Sequence, residues 1–164
     1  MQYTCSYSSP LGEILIASNG KAVTGLWFMG QKYFGSTLEA EYAEKALPVF
    51  GQTVRWLDDY FQGNVPMEMP PVSFNSSSFR IRVWKLLMEI PYGHTVTYGE
   101  IARTLEKQTG RRICAQAVGG AVGHNPVSII VPCHRVIGSN GLTGYAGGLD
   151  KKLALLRLEG VNVH

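Results

Sequence analysis

Cysteine is scarce in this 164-residue chain, and the three present, Cys5, Cys114 and Cys133, are too scattered for a disulfide framework. No C-x2-C pair occurs, and His94, His124, His134 and His164 fall at no ligand spacing. No metal site and no cofactor are therefore expected. Long apolar runs are missing too, with nothing near the roughly 18–20 residues needed to span a bilayer. The start, Met1-Gln2-Tyr3-Thr4-Cys5, lacks a basic stretch followed by an apolar one, so no signal peptide is expected. These absences point to a cytoplasmic protein with no membrane partner. In such a reducing compartment each cysteine is either packing or chemistry.

What is present suits a folded protein. Hydrophobic residues make up 45% and charged residues 16%, enough to bury a core and too apolar for disorder. The net charge of +3 is unevenly spread. Residues 1–71 carry four Lys/Arg against seven Asp/Glu, whereas residues 72–164 carry eleven against five. A basic C-terminal part fits a polyanionic partner, and it fits a solubilising surface equally well.

Two apolar runs flank Asn19-Gly20 within residues 12–28, which predicts a β-hairpin with a tight turn. Residues 37–61 carry spaced apolar side chains that predict a helix broken or kinked near Pro48. Residues 62–71 hold Gly63, Pro66, Pro70 and Pro71 without periodicity, a linker where the charge balance changes sign. Beyond it, Phe79, Val83, Leu86, Leu87 and Ile90 form a helical stripe ended by Pro91. Thr97-Tyr-Gly-Glu100 is a capping box that opens a short helix over 98–106. After Gly110 a second helix is expected over 112–122. Two short helices around a glycine-containing turn in a basic region suggest a helix-turn-helix, although helical hairpins of enzymes look the same. Ala115, Ala117, Gly119, Gly120 and Ala121 leave the second helix almost bare, at about 1 kcal/mol for each glycine relative to alanine. Bare helices serve close approach, either to a neighbouring element or into a nucleic-acid groove.

Residues 127–131 are an apolar run read as a buried strand or extended segment, and they lead into Pro132-Cys133-His134-Arg135. A buried cysteine is usually inert, since burial raises its pKa. Here His134 is adjacent, Arg135 is cationic, and five glycines surround Tyr145 within residues 138–148. Such a loop admits a ligand close to the backbone. A leucine-rich helix over 149–158 stops at Gly160, and Glu159 falls towards its apolar side. A carboxylate there needs a partner, with His134 and Lys152 as the two candidates. Cys, His and Glu together would make a nucleophile with an oriented base.

At these residues the chain closely resembles the O6-alkylguanine-DNA alkyltransferases (methylated-DNA–protein-cysteine methyltransferases). The match runs through Ile90-Pro-Tyr-Gly93, Thr97-Tyr-Gly-Glu-Ile-Ala102, Ala117-Val-Gly-Gly120, Asn125-Pro126, Ile130-Val-Pro-Cys-His-Arg-Val-Ile137, Gly144-Tyr-Ala-Gly-Gly-Leu149 and Leu158-Glu-Gly160. The resemblance implies an α/β protein. A ribonuclease-H-like N-terminal lobe, with a hairpin in an antiparallel sheet, would occupy residues 1–72. A mostly helical alkyltransferase domain with the helix-turn-helix would occupy 73–164.

It further implies a single-turnover DNA-repair enzyme that moves an alkyl group from O6-alkylguanine, with O4-alkylthymine a second candidate, irreversibly onto Cys133. His134 would take the thiol proton, Glu159 would orient His134, Asn125 would hold the hinge before the active-site segment, and Tyr98 would donate to the extruded guanine. Tyr98 also falls at the first position of its helix, where backbone N–H groups attract phosphate. Ala115, Gln116 and Gly119 would meet the minor groove of double-stranded DNA. Arg135, Tyr145, Ala146 and Gly147 would contact DNA or line the base pocket, with Arg111 and Arg112 as further DNA contacts. The protein is expected to act as a monomer. Gln116 stands where better-known members carry an intercalating arginine, and Ala146 replaces a serine of some members. The alternative is a non-catalytic protein that recognises alkylated bases, against which the acceptor cysteine argues. A cysteine hydrolase or a plain helix-turn-helix regulator explains fewer of these residues.

Overall fold

The computed structural model describes residues 1–141 and 144–162, and the chain divides into two compact units. One unit holds Met1–Asn75 together with Pro126–Ile130, and the other holds Ser76–Asn125 and the chain from Val131 onward. Among the described residues no helix is long and apolar enough to cross a membrane.

In the first unit β1 (Gln2–Ser9), β2 (Gly12–Ser18) and β3 (Val23–Phe28) form an antiparallel meander. The expected hairpin is present as β2 and β3, its turn closed by Asn19, whose Oδ1 accepts from the backbone N–H of Lys21 and Ala22 at 3.0 Å each. The sequence reading had no counterpart for β1, whose pairing runs from Tyr3↔Ser18 to Ser9↔Gly12. A short β4 (Tyr42–Glu44) adds parallel to β1, giving the order β3-β2-β1-β4. Helix α1 (Pro48–Phe61) packs on β1 and β2 through a face that includes Phe50, Trp56, Leu57 and Tyr60. The predicted helix over 37–61 is therefore too long. Pro48 does not kink a helix but starts one, because a proline at the first position lacks only an N–H that would be unbonded anyway.

The apolar run at 127–131 is buried, as expected, yet it is not a strand. Leu26 N–H donates to Pro126 O at 2.8 Å and Ser128 N–H to Leu26 O at 2.9 Å, which makes a single parallel bridge. The chain then turns through Ile129 at φ +70°, a left-handed conformation unusual for a β-branched residue.

The second unit is mostly helical, with α2 (Ser78–Leu87), α3 (Tyr98–Thr109), α4 (Ala115–Gly123) and α5 (Leu149–Leu158). The capping box at α3 is complete: Thr97 accepts from Glu100 N–H, and the Glu100 side chain returns to Thr97 N–H. Gly110 closes α3 at φ +68°, a conformation that favours glycine and turns the chain towards α4. Helix α4 packs against α2 and α3 and lets Trp84 reach its backbone, with Nε1 donating to Ala121 O at 2.8 Å. A two-residue β5 (Val96–Thr97) pairs in parallel with β6 (Val136–Ile137), tying the entry of α3 to the segment just after Cys133.

Candidate active site

Cys133, His134 and Arg135 form one 3-10 turn, and all three are buried. Glu159, at the end of α5, is buried with them and is the hub of the cluster. Its Oε2 lies 2.6 Å from His134 Nε2, while Arg135 donates Nε to Oε1 at 2.8 Å and Nη2 to Oε2 at 3.2 Å. The backbone N–H of Gly93 adds a bond to Oε1 at 3.0 Å. Gly93 sits at φ +79°, and a Cβ there would stand 3.2 Å from Glu159 O, so the close approach depends on glycine.

These donors set the charge states. Burial pushes the Glu159 carboxyl up, but the bonds from His134, Arg135 and Gly93 outweigh it and hold the group at about 2. Glu159 is thus a carboxylate, which can only accept. Burial holds His134 below the ordinary histidine range, opposed by its bond to Glu159 and helped by the charges of Arg135 and Lys152. His134 is therefore neutral at rest, with its proton on Nε2 facing the carboxylate and a basic lone pair on Nδ1. Burial raises the Cys133 thiol, while a hydrogen bond with Asn125 and the Lys152 charge act in the opposite sense. The resting group is a thiol beside a neutral imidazole, so its proton must leave as it reacts.

Asn125 is buried and its Nδ2 donates to Val131 O at 2.9 Å, joining the end of α4 to the entry of the active-site turn. Lys152 resolves the competing account of Glu159. Its ammonium bonds Val136 O at 2.5 Å and Gly144 O at 3.3 Å, so it ties β6 to the middle of the glycine-rich loop rather than pairing with the carboxylate. Burial lowers Lys152 to about 8.

Comparison with known proteins gives this cluster a family. Residues 78–161 match the family described as 6-O-methylguanine DNA methyltransferase, DNA binding domain, and residues 2–70 match its ribonuclease-like domain. A methylated-DNA–protein-cysteine methyltransferase of Mycobacterium bovis is 44% identical over 92% of this chain and 88% of that protein. The chain belongs to the 6-O-methylguanine DNA methyltransferase family. A Methanosarcina acetivorans methyltransferase of the same name is 42% identical over 96% of this chain and 98% of its own. Among solved structures, a Mycobacterium tuberculosis O6-methylguanine methyltransferase superposes with a TM-score of 0.82 at 41% identity, over 97% of this chain and 93% of the other. A structure of Mycobacterium tuberculosis OGT in complex with DNA gives 0.82 at 40% identity, over 96% and 92%. Membership makes this protein a DNA-repair methyltransferase.

The remaining expected residues of the methyltransferase lie as follows. Tyr98 opens α3, and Gly119 of α4 faces it: a Cβ on that glycine would stand 3.9 Å from the Tyr98 ring. Ala115, Gln116 and Ala117 are exposed at the start of α4, and Arg111 and Arg112 are exposed just before it. Tyr145, Ala146 and Gly147 are half-buried in the loop before α5, while Leu142 and Thr143 lie outside the described residues. Arg135 corrects an expectation. Read as a DNA contact, it is only 8% exposed, and its guanidinium is committed to Glu159 and, through Nη1 at 2.7 Å, to Ile90 O. Ile90 was expected only as the end of a helical stripe, and Tyr92 and Gly93 only within the family motif, so none of the three stood out as part of the site. Tyr92 stacks its ring 5.8 Å from the Arg135 guanidinium, and its hydroxyl donates to Leu158 O at 3.3 Å. The Ile90-Pro-Tyr-Gly93 motif was the signal, but its role emerges only once Glu159 is folded against it.

Proposed function

We propose that this methyltransferase accepts the alkyl group of O6-alkylguanine in double-stranded DNA on Cys133, once per molecule. The observation that carries the reading is the buried Cys133-His134-Arg135 turn with Glu159 bonded to both His134 and Arg135. The Cys133 sulfur attacks the alkyl carbon while the carbon–O6 bond breaks. The thiol proton passes to His134 Nδ1, through a water, and the carboxylate of Glu159 balances the imidazolium. The electron pair of the broken bond stays on the guanine, which takes the hydroxyl proton of Tyr98 and leaves neutral, and the tyrosinate regains a proton from solvent. A thioether is not hydrolysed by water, so the acceptor is spent. The reactive carbon is stacked inside a duplex, so the nucleotide must be extruded, at a cost of a few kcal/mol.

The bare, exposed start of α4 fits a minor-groove reading helix, and the relative solved with DNA supports DNA as the partner. The intact-protein mass after mixing with a duplex holding one O6-methylguanine tests the reading. One added methyl per molecule, without turnover in excess substrate, is expected. Continued turnover, or DNA binding with no mass gain, overturns it.

Gln116 is exposed at the second position of α4, shorter and uncharged compared with the arginine of better-known members. Gln116→Arg is expected to strengthen duplex binding and speed repair by several-fold, since a cation there stabilises the gap left by the extruded base. Equal affinity and equal single-turnover rates in the two proteins would dismiss that role for position 116.

A further inference from the structure

Three arginines of the second unit line one surface cleft. Arg82 comes from the second turn of α2, and Arg111 and Arg112 come from the connection between α3 and α4. The cleft has a volume of about 430 Å³, and Ser78, Phe79 and Thr109 line it as well. No carboxylate is among its lining residues. Among the described residues, none of the three guanidinium groups makes a hydrogen bond or an ion pair. Elsewhere in the unit the contrast is sharp: Arg135 is saturated by Glu159 and Ile90 O.

The helix end adds to this. Ser78 and Phe79 are the first two residues of α2, so the cleft opens on its N-terminus, where the helix dipole and their two N–H groups attract an anion while Ser77 caps the Arg80 N–H. That first turn carries no acidic residue. Like charges from two separate elements repel one another and destabilise the bare protein, a cost that an anion bound between them removes. Arginine forks and helix N–H groups are both suited to phosphate oxygens.

We infer that the cleft formed by Arg82, Arg111, Arg112 and the N-terminus of α2 is a cradle for one DNA backbone phosphate. The inference rests on the proposed entry of α4 into the minor groove. That groove is about 6 Å wide and bordered by phosphates on both sides. Arg111 and Arg112 lie only a few residues before Ala115, so they meet the strand bordering the groove when α4 enters it. Phosphate contacts of this kind fix register without reading sequence. In this chain they supply, from the flank, the cationic contact that Gln116 does not make at the helix itself.

Binding of an undamaged duplex across a range of salt, read by fluorescence anisotropy, tests the cradle. Each neutralised phosphate contributes a slope of about −0.9 in log K against log salt. The variant with Arg82, Arg111 and Arg112 all replaced by Gln should therefore lose about 0.9 of slope, and about eightfold in affinity at 0.1 M salt. Each single Gln variant should give only a small part of that loss, because the two remaining arginines still neutralise the shared phosphate. Arg82→Lys should restore the slope, as it keeps the charge but not the fork. A loss near 2.7, additive over the three, would show separate phosphates and overturn the cradle. So would an unchanged slope in the triple variant, shown to be folded by circular dichroism. The failure of the broader reading is separate, since it appears as absent methyl gain in the parent protein itself.

Discussion

Cys133→Ser should abolish methyl transfer, by at least about 10⁴-fold, while leaving the binding of alkylated duplex within a few-fold of the parent. Cys133 is buried at 6% exposure, so it contributes little to the surface that meets DNA. In the proposed reaction it contributes the nucleophile. Burial has already raised the thiol, and the bond with Asn125 and the charge of Lys152 recover only part of that loss. A serine hydroxyl is far less acidic than a thiol and a poorer nucleophile towards saturated carbon. A neutral imidazole, itself held below the ordinary range, is too weak a base to make up that difference. Single-turnover mass spectrometry together with anisotropy measures both halves. A serine variant that still takes methyl would move the acceptor to another residue.

The second large effect is expected at Glu159. Glu159→Gln removes the counter-charge of the buried Arg135 and of the imidazolium that forms on His134. Breaking one partner of a buried ion pair costs about 3–5 kcal/mol, which urea unfolding would read directly. The transfer rate, taken well below the variant's melting temperature, should fall at least about 10²-fold, because the proton's destination loses its stabilising charge. The variant also changes the response to acid. In the parent, Glu159 sits at about 2 against an ordinary 4.5, so its stabilisation is complete above pH 4.5 and is lost as pH falls towards 2. That window is worth about 3 kcal/mol. His134, lowered in the folded protein, adds a loss of the same sign that begins below its ordinary 6.5. Glu159→Gln should flatten the lower window and carry the histidine loss further down in pH. Since Glu159 raises His134, its removal should also move the acidic limb of the rate profile to lower pH. An unchanged acid-unfolding profile would refute the assignment of Glu159 as an ionised hub.

The elements written in local chemistry were legible in the sequence. Thr97 and Glu100 signal a cap by their spacing alone, and the box forms as read. Cys133, His134 and Glu159 were legible as a nucleophile, a base and a carboxylate in need of a partner, and the structure brings the last two to 2.6 Å. The choice between His134 and Lys152 was not legible, because Lys152 lies on α5 itself and His134 on a turn distant in sequence, and only the fold decides. Lys152 instead holds carbonyls, which leave no mark in a sequence. Arg135 misled for a related reason. A cation beside a reactive cysteine in a basic region reads as a DNA contact, and its burial follows from Ile90 and Tyr92, some forty residues away. Pro48 and residues 127–131 failed differently. A proline suits both a kink and a helix start, and a short apolar run suits a strand as well as a buried turn.

The return of Pro126–Ile130 to the first unit has a consequence for how the protein is made. Leu26 bonds to Pro126 and Ser128, so the N-terminal lobe is not complete when its own 75 residues have left the ribosome. Its last piece is synthesised some fifty residues later, after α2, α3 and α4 have been translated. Synthesis from the N-terminus therefore cannot finish the two units one after the other. A fragment ending at residue 75 would carry an open edge at Leu26, and a fragment beginning at residue 76 would carry a buried apolar segment with no place of its own. A cut after residue 75 parts Leu26 from its backbone partners Pro126 and Ser128.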